Sequence, residues 1–225
     1  MGRMISLNTS RMQCIGAWLA QPPHPAQGGI VVVHEIYGMN AWVRSVVERL
    51  AQAGYAAIAP VFFDHVERDV ALGYDEEATR RGRQLVGEVG FELAVEDVAS
   101  AAEAIASAGR IGCVGYSWGG TIALLAATRL GLPAVSYYGS RNVQVMDEPA
   151  RAPLMFHFGA RDASIPTAAI ERHREAWPQA EIFVYPGAKH AFDRDGSPEY
   201  YAADSAALSR QRSLDFFARH LGGGA

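Results

Sequence analysis

The segment Arg110–Gly131, RIGCVGYSWGGTIALLAATRLG, constrains this chain more than any other. Its opening, Arg110 to Tyr116, is an apolar run of strand length without polar alternation, which suits a strand buried on both faces of a sheet. From Trp118 to Gly131 the apolar residues take on helical character. Between the two runs stands Gly115-Tyr116-Ser117-Trp118-Gly119, a G-x-S-x-G pattern with a hydroxyl at the strand-to-helix junction. Gly115 and Gly119 suit a place where strand and helix backbones must approach closely. The alternative is a plain βα turn that happens to contain a serine.

The rest of the chain reads in the same alternating way. Gln13 to Pro22 is a short strand ending at a Pro-rich turn. Gly29 to Gly38, GIVVVHEIYG, opens on a continuous β-branched run suited to a parallel sheet. Asn40 to Gly54 has helical spacing, with Asn40 as N-cap and Gly54 as stop. Tyr55 to Phe63 is the next strand. Asp75 to Ser107 reads as two helical pieces with a break near Gly87 to Gly90. Pro133–Gly139, Ala152–Gly159 and Ala180–Gly187 are further strands. A helix that starts with Pro166 in its first turn lies between the last two. A final helix runs from about Glu199 to His220, and the GGGA tail, residues 222–225, is expected to be disordered. The expected architecture is one α/β domain, residues 1–225, with a mostly parallel sheet and helices on both faces.

Composition narrows the functional classes. A formal charge of −4 and the lack of any Lys/Arg-rich block argue against a nucleic-acid partner. No run approaches the ~18 apolar residues a membrane span needs. The N-terminus shows no secretion signal. The two cysteines, Cys14 and Cys113, lack any C-x-x-C spacing. They read as buried thiols of a protein in the reducing cytoplasm.

A serine in a strand–G-x-S-x-G–helix elbow projects above the sheet, but a hydroxyl attacks only with the help of a base. In such sheets the partners follow in the order serine, acid, histidine, each at the end of a later strand. Asp162, in FHFGARD, and His190, in VYPGAKHAF, meet that order. His190 would take the proton of Ser117 and Asp162 would orient the imidazole. The backbone N–H of Trp118 would face the developing oxyanion. The other six of the seven histidines form no metal pattern. His34 and His157 read as core residues, Asp64-His65 as a solvated loop, and His24, His173 and His220 as exposed.

The motifs HEIYG, GYSWGG, GARD and PGAKHAF, in this order and spacing from about Gly29 to Leu221, resemble the dienelactone hydrolase family of the α/β-hydrolase superfamily. The resemblance implies an α/β-hydrolase fold without a large cap domain, no cofactor, and hydrolysis of a lactone or small carboxylic ester. It assigns Ser117, Asp162 and His190 to a triad. It places Glu35 beside the nucleophile as a modulator of its ionisation, and the N–H of Ile36 in the oxyanion hole. It gives Arg194 the substrate carboxylate, with a second arginine among Arg80, Arg81 and Arg83, for which Arg81 is taken. The reading of Glu35 as a carboxylate paired with an arginine stands beside the modulator reading. Tyr37, Trp42, Phe62, Phe63 and Tyr138 are candidates for an aromatic pocket, or for core. Many family members carry cysteine where this chain has Ser117. A natural serine variant and a replaced cysteine both fit, and the first is favoured because Ser–His–Asp is itself competent. The alternatives are a general carboxylesterase without lactone preference and a non-catalytic protein that binds a small acid. A monomer or small homo-oligomer is expected.

Overall fold

In the computed structural model, which describes residues 1–222, the Arg110–Tyr116 run forms β5 (Ile111–Tyr116), with every residue after Ile111 buried. Its two faces are used differently. Tyr116 packs on Trp42 of α1 (Ala41–Gln52), and a Cβ on Gly112 would come 2.9 Å from Phe217 of α5 (Ala203–Leu221). Gly115 faces the other way, onto α3 (Trp118–Leu125). Helices therefore cover both faces, as the unbroken apolar strand requires.

Eight strands form one sheet in the order β1-β2-β4-β3-β5-β6-β7-β8. From β4 (Ala56–Pro60) through β3 (Gly29–Val33), β5, β6 (Ala134–Tyr137), β7 (Leu154–Gly159) and β8 (Glu181–Tyr185), every neighbouring pair is parallel. β1 (Arg3–Asn8) and β2 (Cys14–Ala20) add an antiparallel hairpin at one edge. The sheet is thus mostly parallel, as expected. β1 was not read from the sequence.

Helix boundaries follow capping chemistry. The Asn40 side chain accepts the N–H of Val43, and the Asp75 carboxylate accepts that of Ala78 at the start of α2 (Glu76–Ala104). The break expected near Gly87–Gly90 falls at Gly90, whose φ of 69° and ψ of 178° kink α2. α3 passes into a π turn before Gly131, which takes the left-handed conformation that glycine allows. Pro166 is the N-cap of α4 (Thr167–Ala176), one residue outside it, and α5 starts at Ala203 rather than Glu199. Of the GGGA tail, residues 223–225 lie outside the described residues.

Three sequence expectations are corrected here. Cys14 is exposed: it begins β2, whose burial alternates, and only Cys113 is buried. His173 is buried against Phe156 and Phe158, with Nε2 against Asn142, because α4 turns that face onto β7. His65 is not solvated: its Nε2–H donates to the buried Asp97 carboxylate at 2.8 Å. Asp64 accepts the Gly16 N–H.

His157 on β7 is a core residue, as expected. Its ring lies between the Ser213 hydroxyl at 3.0 Å and the Tyr185 hydroxyl at 2.8 Å, and burial pushes its pKa down to about 3. The folded chain holds this ring neutral while the unfolded chain protonates it near 6.5. The stability it contributes is therefore complete above 6.5 and is lost as pH falls. In urea titrations the advantage of wild type over His157→Gln should shrink by about 2 kcal/mol between pH 7 and pH 5. An equal gap at both pH values would contradict the neutral ring.

Candidate active site

The register of β3 with β5 pairs Val33 with Gly115. His34, Glu35 and Ile36 consequently leave β3 at the level where Ser117 leaves β5. Ser117 has φ 54° and ψ −114°, a left-handed conformation that non-glycine residues rarely adopt. The turn holds because its flanks have no side chains: a Cβ on Gly119 would lie 2.4 Å from the Val33 carbonyl oxygen. The Ser117 N–H donates to the Tyr137 carbonyl at 2.9 Å, which ties the elbow to β6.

Ser117 Oγ lies 3.0 Å from His190 Nε2, and His190 Nδ1 lies 2.7 Å from Asp162 Oδ2. A carboxylate facing Nδ1 places the proton there, which leaves Nε2 to accept from the hydroxyl. The buried Asp162 is fixed in turn by the Ser164 N–H at 2.8 Å to its Oδ1. The loops bearing acid and base are joined: the Arg161 N–H donates to the Ala188 carbonyl at 2.8 Å. A Cβ on Gly159 would meet that same carbonyl oxygen at 2.5 Å. Three side chains distant in sequence thus converge at the carboxyl ends of β5, β7 and β8.

Ile36 and Trp118, the two residues expected to supply oxyanion donors, line the same cavity as Ser117. Trp118 is the first residue of α3, so its N–H has no carbonyl one turn back within the helix. The carbonyl of Glu35 accepts His34 Nδ1–H at 2.6 Å, and no peptide in the described chain is cis. The Ile36 N–H, on the opposite side of that trans peptide, therefore points away from His34. Burial pushes the His34 pKa down to about 4, so the ring is neutral. The sequence reading took His34 for a satisfied core residue. Its Nδ1 is satisfied and its buried Nε2 has no partner.

A cavity of about 500 Å³ opens over Ser117, lined by Glu35, Ile36, Tyr37, Trp118 and Arg194 among others. Glu35 is buried, and its Oε2 accepts from the equally buried Arg194 at 2.7 Å. Glu35 Oε1 has no partner. The Arg194 guanidinium lies 4.0 Å from the Tyr74 ring centre and 5.3 Å from that of Tyr37, and its Nε donates to Ser197.

Arg81 does not reach the cavity. It turns outward to Glu67, while Arg80 pairs with Glu77. Arg83, four residues after the cavity-lining Thr79 and so on the same helix face, takes that place. Gly82 faces inward against the Ile36 carbonyl and fixes this rotation of α2. Trp42, Phe62, Phe63 and Tyr138 belong to the core. The cavity's other aromatic walls are Tyr74 and Tyr200, and it also carries Arg141, Arg161 and Lys189, none of them anticipated. Among the described residues no group of His, Cys, Asp and Glu could hold a metal ion, and no helix is long and apolar enough to cross a membrane.

The profile of the Dienelactone hydrolase family matches residues 15–221. The chain belongs to the dienelactone hydrolase family. Carboxymethylenebutenolidase of Pseudomonas putida is 31% identical over 226 residues, covering 95% of each chain. The carboxymethylenebutenolidase of Pseudomonas knackmussii has the same identity and coverage. The crystal structure of a dienelactone hydrolase homologue from Klebsiella pneumoniae superposes with a TM-score of 0.85 at 30% identity, covering 97% of this chain and 98% of that one. That coverage leaves no room for a large cap. The chain is a hydrolase of the dienelactone hydrolase type.

Proposed function

We propose that the chain hydrolyses a carboxylate-bearing lactone or small carboxylic ester through Ser117, His190 and Asp162. The observation that carries this reading is the 3.0 Å and 2.7 Å relay from hydroxyl to imidazole to carboxylate, opening onto a cavity of substrate size. Ser117 Oγ attacks the ester carbonyl as His190 Nε2 takes its proton. The N–H groups of Ile36 and Trp118 stabilise the tetrahedral oxyanion, a role in which one lost donor costs about 3 kcal/mol. His190 returns the proton to the leaving oxygen, which in a lactone stays tethered to the acyl group. Water then attacks the acyl-enzyme and gives a proton to His190, which passes it to Ser117 Oγ as the acyl–Oγ bond breaks and the acid leaves, so that one ester and one water become one acid and one hydroxyl.

A serine attacks as it loses its proton and needs no prior ionisation. Glu35, bonded to Arg194, therefore serves to hold that guanidinium at the cavity wall. Arg194 and Arg83 are the groups for the substrate carboxylate, with Tyr37 beside them. Removing Arg194 alone would leave a buried carboxylate unpaired, so the test uses Glu35→Gln with Arg194→Ala. This pair should lose about tenfold more kcat/KM on acidic lactones than on neutral esters. Equal losses would favour a general carboxylesterase. A fluorophosphonate probe should label Ser117, as read by peptide mass. An unlabelled serine in folded protein would favour a non-catalytic acid-binding protein.

A further inference from the structure

One flank of the cavity carries a repeated sequence device. β6, β7 and β8 lie side by side at the end of the sheet, and each is followed within four residues by a cation in the same setting. The three stretches are Gly139-Ser140-Arg141, Gly159-Ala160-Arg161 and Gly187-Ala188-Lys189. Close packing accounts for two of the glycines and backbone conformation for the third: a Cβ on Gly139 would come 2.3 Å from Asn142, one on Gly159 2.5 Å from the Ala188 carbonyl oxygen, and Gly187 has φ 75°. Packing does not account for a cation at each third position. All three line the cavity over Ser117.

None of the three makes an ion pair among the described residues, although acidic residues outnumber Lys and Arg 24 to 20 in the whole chain. The two carboxylates of the cavity are both engaged, Glu35 with Arg194 and Asp162 with His190. The positive charge of this flank is therefore uncompensated, and a concave wall of one sign concentrates ligands of the other. This flank adjoins Arg194 across the Tyr200 ring, whose centre lies 5.8 Å from Lys189 Nζ and 5.6 Å from the Arg194 guanidinium, but none of its three cations shares the Glu35 ion pair. Ser117 directly follows β5, which lies between β3 and β6 in the sheet. Glu35, Ile36 and Tyr37 leave the sheet on the β3 side, with Arg194 bonded to Glu35, whereas Arg141, Arg161 and Lys189 follow the strands on the other side.

The geometry points to a second anion subsite, formed by Arg141, Arg161 and Lys189, that takes a carboxylate or phosphate group of the substrate. The inference rests on the acyl-transfer reading and deepens it: the substrate class is an ester or lactone with two anionic groups, one for each side of Ser117.

A charge series tests it. The esters are phenyl butyrate, phenyl hemisuccinate, 4-carboxyphenyl butyrate and 4-carboxyphenyl hemisuccinate, which carry no anion, one on either half, and one on both. The doubly anionic ester should exceed the better single anion by about tenfold in kcat/KM, carried by KM and shrinking between low and physiological salt. Exchanging the carboxyphenyl group for phosphonooxyphenyl separates the two anions: a gain with either supports the subsite, and the larger gain names its ligand. The gain should vanish in Arg141→Gln/Lys189→Gln, which leaves the Asp162 loop intact, and in the triple variant with Arg161→Gln. A doubly anionic ester no better than the better single anion, or a gain that persists in both variants, overturns the proposal. Turnover of phenyl butyrate with a flat series removes the subsite and leaves the acyl-transfer reading standing. Titration calorimetry of the same esters on Ser117→Ala protein reads the subsite without turnover. There the doubly anionic ester should bind about tenfold tighter than the better single anion, and equal binding overturns the subsite even where no ester is hydrolysed.

Discussion

Alanine at position 117 is expected to lower kcat on p-nitrophenyl acetate by about a million-fold, the loss seen when a comparable hydrolase is deprived of its nucleophile. The size follows from how the parts depend on one another. Without Oγ, His190 has no proton to take, and the 2.7 Å bond to Asp162 orients a base with no partner. The proposed oxyanion donors and the cavity remain, so a small residual rate above water is expected. The side chain removed is small and lies in the cavity wall, so the fold should survive with an unchanged urea midpoint. Undiminished turnover by purified, folded Ser117→Ala would refute the assignment.

The second large effect concerns folding. Gly115→Ala should destabilise the protein by about 3 kcal/mol or more, at or beyond the upper end for overpacking. The new Cβ would lie 1.8 Å from the Gly119 carbonyl oxygen and 2.3 Å from its carbon. Both are backbone atoms of the first turn of α3, which cannot rotate away as a side chain would. Such a loss is a large part of the 5–15 kcal/mol that stabilises an ordinary domain. Gly87→Ala is the control: nothing lies within 4 Å of its Cβ position, and alanine is the better helix former. It should be neutral or stabilising by about 0.5–1 kcal/mol. Equal urea midpoints for the two variants would show that the elbow tolerates a side chain.

What the sequence disclosed was governed by periodicity and by punctuation. β5, the elbow and the strand ends bearing Asp162 and His190 were legible because an unbroken apolar run that stops at glycine has few alternatives. β1, RMISLN, escaped notice because most of its residues are exposed at the sheet edge and it offers no continuous apolar run. Arg81 was taken in place of Arg83 because composition does not give the rotation of a helix about its axis. That rotation is set by Gly82 against the Ile36 carbonyl, a contact between segments far apart in the chain. Arg141, Arg161 and Lys189 were visible as letters, but their meeting depends on strand order. His173 was misjudged for a like reason: on a helix with few buried residues, only the ring pocket of β7 shows which histidine turns inward.

The junction between the loops of Asp162 and His190 has a consequence for the chemistry the scaffold can host. The proposed proton acceptor and its carboxylate form one cartridge, sewn together by the Arg161–Ala188 bond and the close pass at Gly159, while the proposed attacking atom is mounted on a different strand. An exchange of the attacking atom, oxygen for sulfur or the reverse, leaves that cartridge undisturbed. Such a frame can change its warhead without rebuilding the machinery that drives it.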